Sequence, residues 1–230
     1  MNTIKVLGHR GCAGLEPENT IRAFKKAVNL KVDLIEFDVR MTKDKELVVI
    51  HDEKVDRETN GKGYVRDFTF EEIRKLNIRK NEKIPSFEEV INLLKKEGPI
   101  IVIEIKEPET LKKVLEIVKK EKLKNKVLII SFWQDVIKKI KEIEPEIKTG
   151  IIFKKKIAKI IPLMKNAKAE VLCLNYPAVD EKIVEDCHKN NVKLNVWTVN
   201  EVKDIERMIR LKVDIIASDY PDRVLAKLKK

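Results

Sequence analysis

Three carboxylates lie inside apolar segments of the chain, where an acidic side chain is costly. Glu36 and Asp38 are two residues apart, and Glu104 follows the apolar run 100–103. Residues two apart on a strand share a face, so Glu36 and Asp38 are expected to point the same way. Neighbouring carboxylates in an apolar setting repel each other unless a cation or hydrogen-bond donors satisfy them. Oxygen ligands of this kind suit one divalent cation, Mg²⁺ or Ca²⁺.

Two of the three histidines flank these acidic segments. The pKa of imidazole lies near neutrality, so His9 and His51 could serve as an acid–base pair. Arg10 offers a planar fork that fits two phosphate oxygens, and Lys106 adds a point charge. The set indicates phosphoryl transfer, although the same two cations could instead neutralise the carboxylates in an ion-pair network. His188, on an amphipathic segment, is interpreted as a surface residue.

A regular alternation of strand-like and helix-like segments must position these groups. Predicted strands cover residues 4–8, 33–39, 47–51, 100–105, 127–131, 149–153, 171–174, 193–198 and 214–218. Predicted helices cover residues 20–29, 86–96, 109–121, 133–143, 157–165, 180–190, 201–209 and 222–229. Such alternation favours a parallel sheet, and eight strand–helix units predict an α/β fold, the closed (β/α)₈ TIM barrel. In this fold active sites form at the carboxyl ends of the strands.

The strand 47–51 does not fit the parallel pattern. It follows 33–39 after a short turn, whereas a parallel crossover needs about a dozen residues or more. We therefore expect a β-hairpin after the second barrel strand, with Arg40 opposite Val48 and His51 returned beside the carboxylates.

Residues 53–85 form the longest stretch without a predicted element. They contain turn signals, and we expect a short insertion over the barrel mouth within a single domain that covers residues 1–230. Predicted helix starts include Thr20, Ser86 and Asn200.

Composition narrows the function classes. The net charge is +11, but lysine is interleaved with glutamate, and charged residues reach 38%. That pattern is typical of a heat-adapted, thermostable surface, and no basic patch is interleaved with aromatic residues. We therefore expect a small-molecule substrate and no nucleic-acid partner.

Segments for export or membrane insertion are not evident. No apolar run is long enough for a membrane span, and the first residues do not resemble a signal peptide, so we expect a cytoplasmic protein without stable membrane insertion. The odd number of cysteines and the lack of a C-x-x-C pair argue against a disulfide framework or a zinc site. The sequence carries no signal for an oligomeric state.

A series of short motifs extends through nearly the whole chain. They are His9-Arg10-Gly11, Pro17-Glu18-Asn19-Thr20, Ile35-Glu36-Phe37-Asp38-Val39, Thr42-Lys43-Asp44, Val48-Val49-Ile50-His51-Asp52, Asp56-Arg57-Glu58-Thr59-Asn60-Gly61, Ile103-Glu104-Ile105-Lys106, Val196-Trp197-Thr198-Val199-Asn200 and Ser218-Asp219-Tyr220-Pro221. In order and spacing they resemble the glycerophosphodiester phosphodiesterase family, which hydrolyses its substrates to glycerol 3-phosphate and an alcohol. The chain departs from the family at Lys31 and Lys45, where glycine is usual.

The resemblance implies an enzyme of lipid metabolism, and it implies a role for each candidate residue. It implies metal ligands (Glu36, Asp38 and Glu104), a catalytic acid–base pair (His9 and His51) and phosphate contacts (Arg10 and Lys106). Trp197 could stack on substrate or pack in the core, and we assign it to substrate binding.

Two alternatives stay open. A barrel phosphodiesterase could act on lysophospholipids, although the sequence shows no clear apolar rim near the mouth. A non-catalytic barrel could bind phosphate esters, but it would be expected to lack one of the two histidines. The preferred alcohol, the metal, and the order in which the histidines act are open as well.

Overall fold

The computed structural model describes residues 3–156 and 158–228. Its strands are β1 (Lys5–Gly8), β2 (Leu34–Met41), β3 (Leu47–Val49), β4 (Ile100–Ile105), β5 (Val127–Ser131), β6 (Lys148–Phe153), β7 (Val171–Asn175), β8 (Lys193–Trp197) and β9 (Ile215–Ser218). Its α-helices are α1 (Ile21–Asn29), α2 (Phe70–Lys75), α3 (Phe87–Leu94), α4 (Leu111–Lys120), α5 (Gln134–Ile143), α6 (Ile160–Asn166), α7 (Glu181–Lys189), α8 (Val202–Arg210) and α9 (Pro221–Leu228). Ile157, which begins the predicted helix 157–165, and Lys229, which ends the predicted helix 222–229, lie outside the described residues.

Eight parallel strands close into a barrel. They follow one another around the ring as β1, β2, β4, β5, β6, β7, β8 and β9, and β9 pairs with β1 to complete it. The predicted (β/α)₈ fold is thereby confirmed. Strand β3 pairs antiparallel with β2, with Arg40 opposite Val48, and so forms a hairpin beside the barrel.

The alternation along β2 explains why the carboxylates face inward. Phe37 points outward, where its ring makes edge contacts at 5.8 Å with Phe24 of α1 and Phe87 of α3. Burying an aromatic side chain of this size stabilises the fold by about 1.5–3 kcal/mol. That gain fixes the strand's orientation, so Glu36 and Asp38 must face the barrel interior.

The segment between β3 and α3 is more ordered than its sequence suggested. It contains α2, which starts with a reciprocal capping box between Thr69 and Glu72. Its apolar side chains form a small core against β3, built from Val48, Ile50, Val55, Val65, Ile73, Ile78 and Ile84. A helix of six residues is too short to show clear periodicity, but the Thr-x-x-Glu spacing was a usable signal.

Candidate active site

A cavity of about 550 Å³ opens at the carboxyl ends of the barrel strands. The predicted site residues that line it are His9, Arg10, Glu36, His51, Glu104, Lys106 and Trp197. Asp38 is 1% exposed, and its carboxylate lies within 4.8 Å of those of Glu36 and Glu104. Folding therefore brings together all eight residues singled out in the sequence.

The three carboxylates form a buried acidic triad. Glu104 lies beside Asp38 in the register of β4 against β2. Oxygen Oε1 of Glu36 and Oδ1 of Asp38 are buried, and neither accepts a hydrogen bond within the described part of the chain. Burial, followed by the charge of Asp38, raises the pKa of both Glu36 and Glu104. Two unsatisfied oxygens and mutual repulsion are what a site for a hard divalent cation requires, so the residues fit such an ion.

Arg10 and Lys106 partly neutralise this triad. The Lys106 Nζ lies 2.7 Å from Glu104 Oε1 and 3.4 Å from Asp38 Oδ1. Arg10 Nε lies 3.4 Å from Asp38 Oδ2, too poorly aligned for a hydrogen bond. Burial opposes the positive charge of both side chains, but Asp38 and its neighbours outweigh burial and raise the pKa of each. When all three carboxylates are ionised, the two cations leave the cluster one charge negative, so the ion-pair network does not use up its capacity for a metal.

The loop after β1 turns back sharply to present Arg10. The φ angles of Arg10 and Gly11 are 48° and 83°, both in the left-handed region. A Cβ on Gly11 would lie 2.8 Å from the backbone and side chain of Ala23, so only glycine fits there. The turn lets the Arg10 N–H donate to Glu36 Oε2 at 2.8 Å, which ties the phosphate-binding candidate to the acidic triad.

His9 is held by a carboxylate that the sequence analysis did not single out. Its Nδ1 lies 2.7 Å from Asp219 Oδ1, and Asn200 Nδ2 donates to the other Asp219 oxygen at 2.7 Å. The Nε2 atom faces inward, 4.0 Å from Glu36. Burial lowers the pKa of His9, but the Asp219 hydrogen bond and the charge of Glu36 together raise it above its ordinary value.

His51 has a matching arrangement. Its Nδ1 lies 2.6 Å from Asp52 Oδ1, and Arg57 Nε donates to Asp52 Oδ2 at 2.6 Å. The Arg57 guanidinium also donates to Glu18, which accepts a second bond from Arg10. Burial lowers the pKa of His51, and nearby Arg10 and Lys106 lower it further against the opposing effect of Asp38. In both imidazoles an aspartate therefore orients Nδ1, and no hydrogen bond to Nε2 is present among the described residues.

Some site residues escaped the sequence analysis although signals were present. Asn200 was predicted to start a helix, but α8 begins after Glu201, and the Asn200 side chain serves Asp219 instead. Asn19, which belongs to one of the quoted motifs, anchors its loop by donating to Asp38 Oδ2 at 2.8 Å. Asp219 directly follows β9, which a closed barrel must place beside His9 at the end of β1.

Phe132 and Trp197 form an aromatic wall at the mouth of the cavity. The rings of Phe132 and Trp197 meet edge to face at 6.1 Å. Lys154 and Lys106 lie 5.7 and 6.0 Å from the Phe132 ring centre, so the wall is both apolar and cationic. Trp133 does not line this cavity; it precedes α5, and its indole donates to the Lys106 carbonyl at 3.2 Å.

An apolar groove, absent from the sequence-based expectations, starts beside the mouth. It has a volume of about 800 Å³ and runs between α4 and α5, from Pro108 and Trp133 to Ile143. Trp133 and Ile143 are 54% and 53% exposed.

His188 lies at the other end of the barrel, against Asp214, and is a surface residue as predicted. In the described ranges no helix has the length and hydropathy needed to cross a membrane.

Comparison with known proteins agrees with the motifs. The family model described as "Glycerophosphoryl diester phosphodiesterase family" matches residues 9–223. A glycerophosphodiester phosphodiesterase of Caldanaerobacter subterraneus subsp. tengcongensis is 38% identical, and the alignment covers 98% of each chain. The crystal structure of the glycerophosphodiester phosphodiesterase of Thermotoga maritima has a TM-score of 0.84 at 29% identity over 99% of both chains.

A fourth similarity concerns the fold alone. An Oleispira antarctica phosphodiesterase, solved with the product sn-glycerol-3-phosphate, has a TM-score of 0.93 at 23% identity. The structural match covers 98% of this chain and 97% of the Oleispira chain.

Proposed function

This chain belongs to the glycerophosphoryl diester phosphodiesterase family, and from that premise we propose that it hydrolyses small glycerophosphodiesters to glycerol 3-phosphate and an alcohol. One observation carries the proposal: a buried acidic triad, two aspartate-held imidazoles and two fixed cations share one cavity. The relative from Caldanaerobacter, named for this activity, supports the choice of substrate.

We assign the acidic triad of Glu36, Asp38 and Glu104 to one divalent cation, Mg²⁺ or Ca²⁺. When bound, such an ion would supply positive charge to the phosphate oxygens. The triad's own part is to hold a hard cation with oxygen ligands at the base of the cavity. Asn19 and the Arg10 N–H keep two of the carboxylates in position through bonds of 2.8 Å each.

His9 and His51 are the proposed acid–base pair. One imidazole accepts the proton of the attacking nucleophile through Nε2, and the other donates a proton to the leaving alcohol. Asp219 and Asp52 each accept from Nδ1, which fixes the tautomer and aims Nε2 at the cavity. Arg40 donates to the His51 carbonyl at 2.8 Å and so steadies the hairpin end that carries it.

Arg10 and Lys106 bind the phosphate in this proposal. Both lie at the boundary between the triad and the open cavity, and both stay charged because the carboxylates raise their pKa. The guanidinium can donate two parallel bonds to phosphate oxygens, whereas the ammonium contributes charge. Trp197 forms part of the wall on which an apolar portion of the substrate would pack.

A substrate panel tests the proposal. Purified protein is incubated with glycerophosphocholine, glycerophosphoethanolamine or glycerophosphoglycerol in Mg²⁺, Ca²⁺ or chelator, and glycerol 3-phosphate is measured by mass spectrometry. We expect release with at least one of the two metals and little in chelator. Activity that is unchanged by chelation would refute the metal assignment, and absence of glycerol 3-phosphate with every substrate would refute the function.

A lysophospholipid is a second candidate substrate, favoured by the apolar groove between α4 and α5. The groove starts at Trp133, whose indole donates to the carbonyl of Lys106, so its near end lies beside the rim of the cavity. Its length along ten residues of α5 is about 15 Å, enough for an acyl chain of medium length. Turnover of lysophosphatidylcholine that falls in Ile143→Glu, with glycerophosphocholine turnover unchanged, would support this substrate; equal effects on both would reject it.

A further inference from the structure

The cavity wall opposite the acidic triad contains a polar recess. We define the recess by Cys173 on β7, Asn195 on β8 and Ala217 on β9, all of which line the active-site cavity. In the order of strands around the barrel, β8 lies across from β4, which carries Glu104. Asn195 and Trp197 share a face of β8, so Asn195 lies deeper in the barrel by about 6–7 Å.

Asn195 is buried without adequate hydrogen bonds. The residue is 2% exposed, and its Oδ1 has no partner among residues 3–156 and 158–228. Within the same ranges its Nδ2 has only the Cys173 sulfur at 3.5 Å, which is a weak acceptor. Directly above it, the Trp197 indole N–H is also buried and unbonded in the described structure. Leaving such a group unsatisfied costs about 1–3 kcal/mol, so a wall built only for packing would contain an apolar side chain here.

The unsatisfied atoms suit a hydroxyl group of a bound molecule. A hydroxyl can donate to Oδ1 and accept from Nδ2 at the same time, so one such group gives a partner to both polar atoms of the amide. A charged group of a ligand would be a poorer partner for Asn195, because the rest of the recess is lined by a thiol and a methyl group, which cannot stabilise a charge.

We propose that Asn195 is a specificity-determining residue that recognises a hydroxyl of the glycerol moiety, an inference that rests on the proposed function. The glycerol end of the diester then points into the recess, and the variable alcohol points out past Phe132, which is 39% exposed at the mouth. The side chains of Cys173 and Ala217 are small, so the recess suits a compact group such as glycerol, whereas the open mouth places no comparable restriction on the alcohol. The enzyme would be selective for glycerol and tolerant of the head group.

Asn195→Leu tests this assignment because leucine keeps the approximate volume and removes both hydrogen-bonding groups. The substrates are glycerophosphocholine and propylphosphocholine, in which a propyl group replaces glycerol and both hydroxyls are lost. The variant should lose about 5- to 150-fold in kcat/KM for glycerophosphocholine, the equivalent of one buried hydrogen-bond partner. It should keep kcat/KM for propylphosphocholine within a factor of three. Asn166→Leu, an identical change at an exposed helix end, serves as the control and should alter neither.

Two further measurements separate recognition from packing. The thermal midpoint of Asn195→Leu should equal or exceed that of the wild type, because an unsatisfied amide is replaced by an apolar group. Calorimetry of the metal-loaded protein should show weaker binding of glycerol 3-phosphate but unchanged binding of inorganic phosphate.

The outcomes distinguish this inference from the function on which it rests. An equal fall for both substrates, or no change for either, would overturn the role of Asn195 while leaving glycerophosphodiester hydrolysis intact. If the wild type releases no glycerol 3-phosphate at all, the proposed function fails, and calorimetry alone then tests whether Asn195 binds glycerol 3-phosphate. Asn195-dependent binding of glycerol 3-phosphate would then still support the recess, and its absence would reject it.

Discussion

Asp219→Asn isolates the carboxylate that orients His9. The substitution keeps the size of the side chain, but an amide has one acceptor oxygen where the carboxylate uses two, for His9 Nδ1 at 2.7 Å and Asn200 Nδ2 at 2.7 Å. One of these donors must therefore face an NH₂ group. We expect His9 to lose its fixed tautomer, with Nε2 no longer reliably aimed at the cavity.

The size of the effect follows from the bond that is lost. A hydrogen bond to a charged group contributes about 1.5–3 kcal/mol, so kcat should fall about 10- to 150-fold. KM should change little, because Asp219 is not part of the cavity wall. The assay is the initial rate of glycerol 3-phosphate release from glycerophosphocholine, with circular dichroism to verify the folded fraction.

Asp214→Asn provides a matched control at the other end of β9. Asp214 also holds a histidine, His188, at 3.1 Å, and it accepts from Lys193 at 2.8 Å. This variant should lose stability, because Asp214 is buried, but keep kcat within about twofold per folded molecule. If Asp219→Asn retained its kcat, or if the two variants lost activity equally, the orienting role of Asp219 would be wrong.

Three further predictions concern other parts of the molecule. His9→Ala and His51→Ala should each lower kcat by about 10²- to 10⁴-fold with a near-native thermal midpoint; near-full activity of His51→Ala in the glycerol 3-phosphate assay would exclude it from the acid–base pair. Glu36→Gln should raise the metal concentration needed for half-maximal activity by about tenfold or more, because a charged ligand becomes neutral; an unchanged metal titration would remove Glu36 from the cation site. Lys122→Gly should stabilise the fold by up to about 1 kcal/mol in urea unfolding, because φ of Lys122, just after α4, is 58° and the left-handed conformation costs about 1–2 kcal/mol without glycine, against the 0.5–1 kcal/mol that glycine loses in chain entropy. Lys119→Gly, inside α4, should instead destabilise by about 1 kcal/mol, and a loss of stability in Lys122→Gly would show that its left-handed conformation is not strained.

The barrel could be predicted from the sequence because short apolar runs, typical of parallel strands buried on both faces, alternate regularly with amphipathic helical segments. The outward Phe37 and its apolar neighbours leave Glu36 and Asp38 a single possible face, and the structure buries both there. The family assignment, made from motifs, is confirmed by the match over residues 9–223 and by the relative at 38% identity. Helix α2 was missed because six residues present too little periodicity, and tertiary packing of Ile73 on the hairpin stabilises it.

The groups that support the catalytic candidates were harder to find because they are distant in sequence. Asp219 is 210 positions from His9, and the two meet only because β9 closes the barrel against β1. Asn200 has the residue type of a helix cap, and only the structure shows that its amide serves Asp219 instead. The Asn195 recess depends on which polar atoms lack partners, a property that no residue pattern encodes.

The low glycine content of the chain is matched by lysines that adopt left-handed backbone angles after helices. The chain has 7 glycines in 230 residues, and lysine takes the left-handed position after four helices, at Lys31, Lys122, Lys168 and Lys212. Glycine would adopt these angles without strain, but it would also widen the unfolded ensemble and so raise the entropy that folding must overcome. A lysine after a helix places its positive charge near the unpaired carbonyls of the last turn, which offsets part of the strain. At each position the strain of a left-handed lysine therefore exceeds the entropic saving only slightly, which agrees with the small gain expected for Lys122→Gly and implies a similarly small cost of lysine at Lys31.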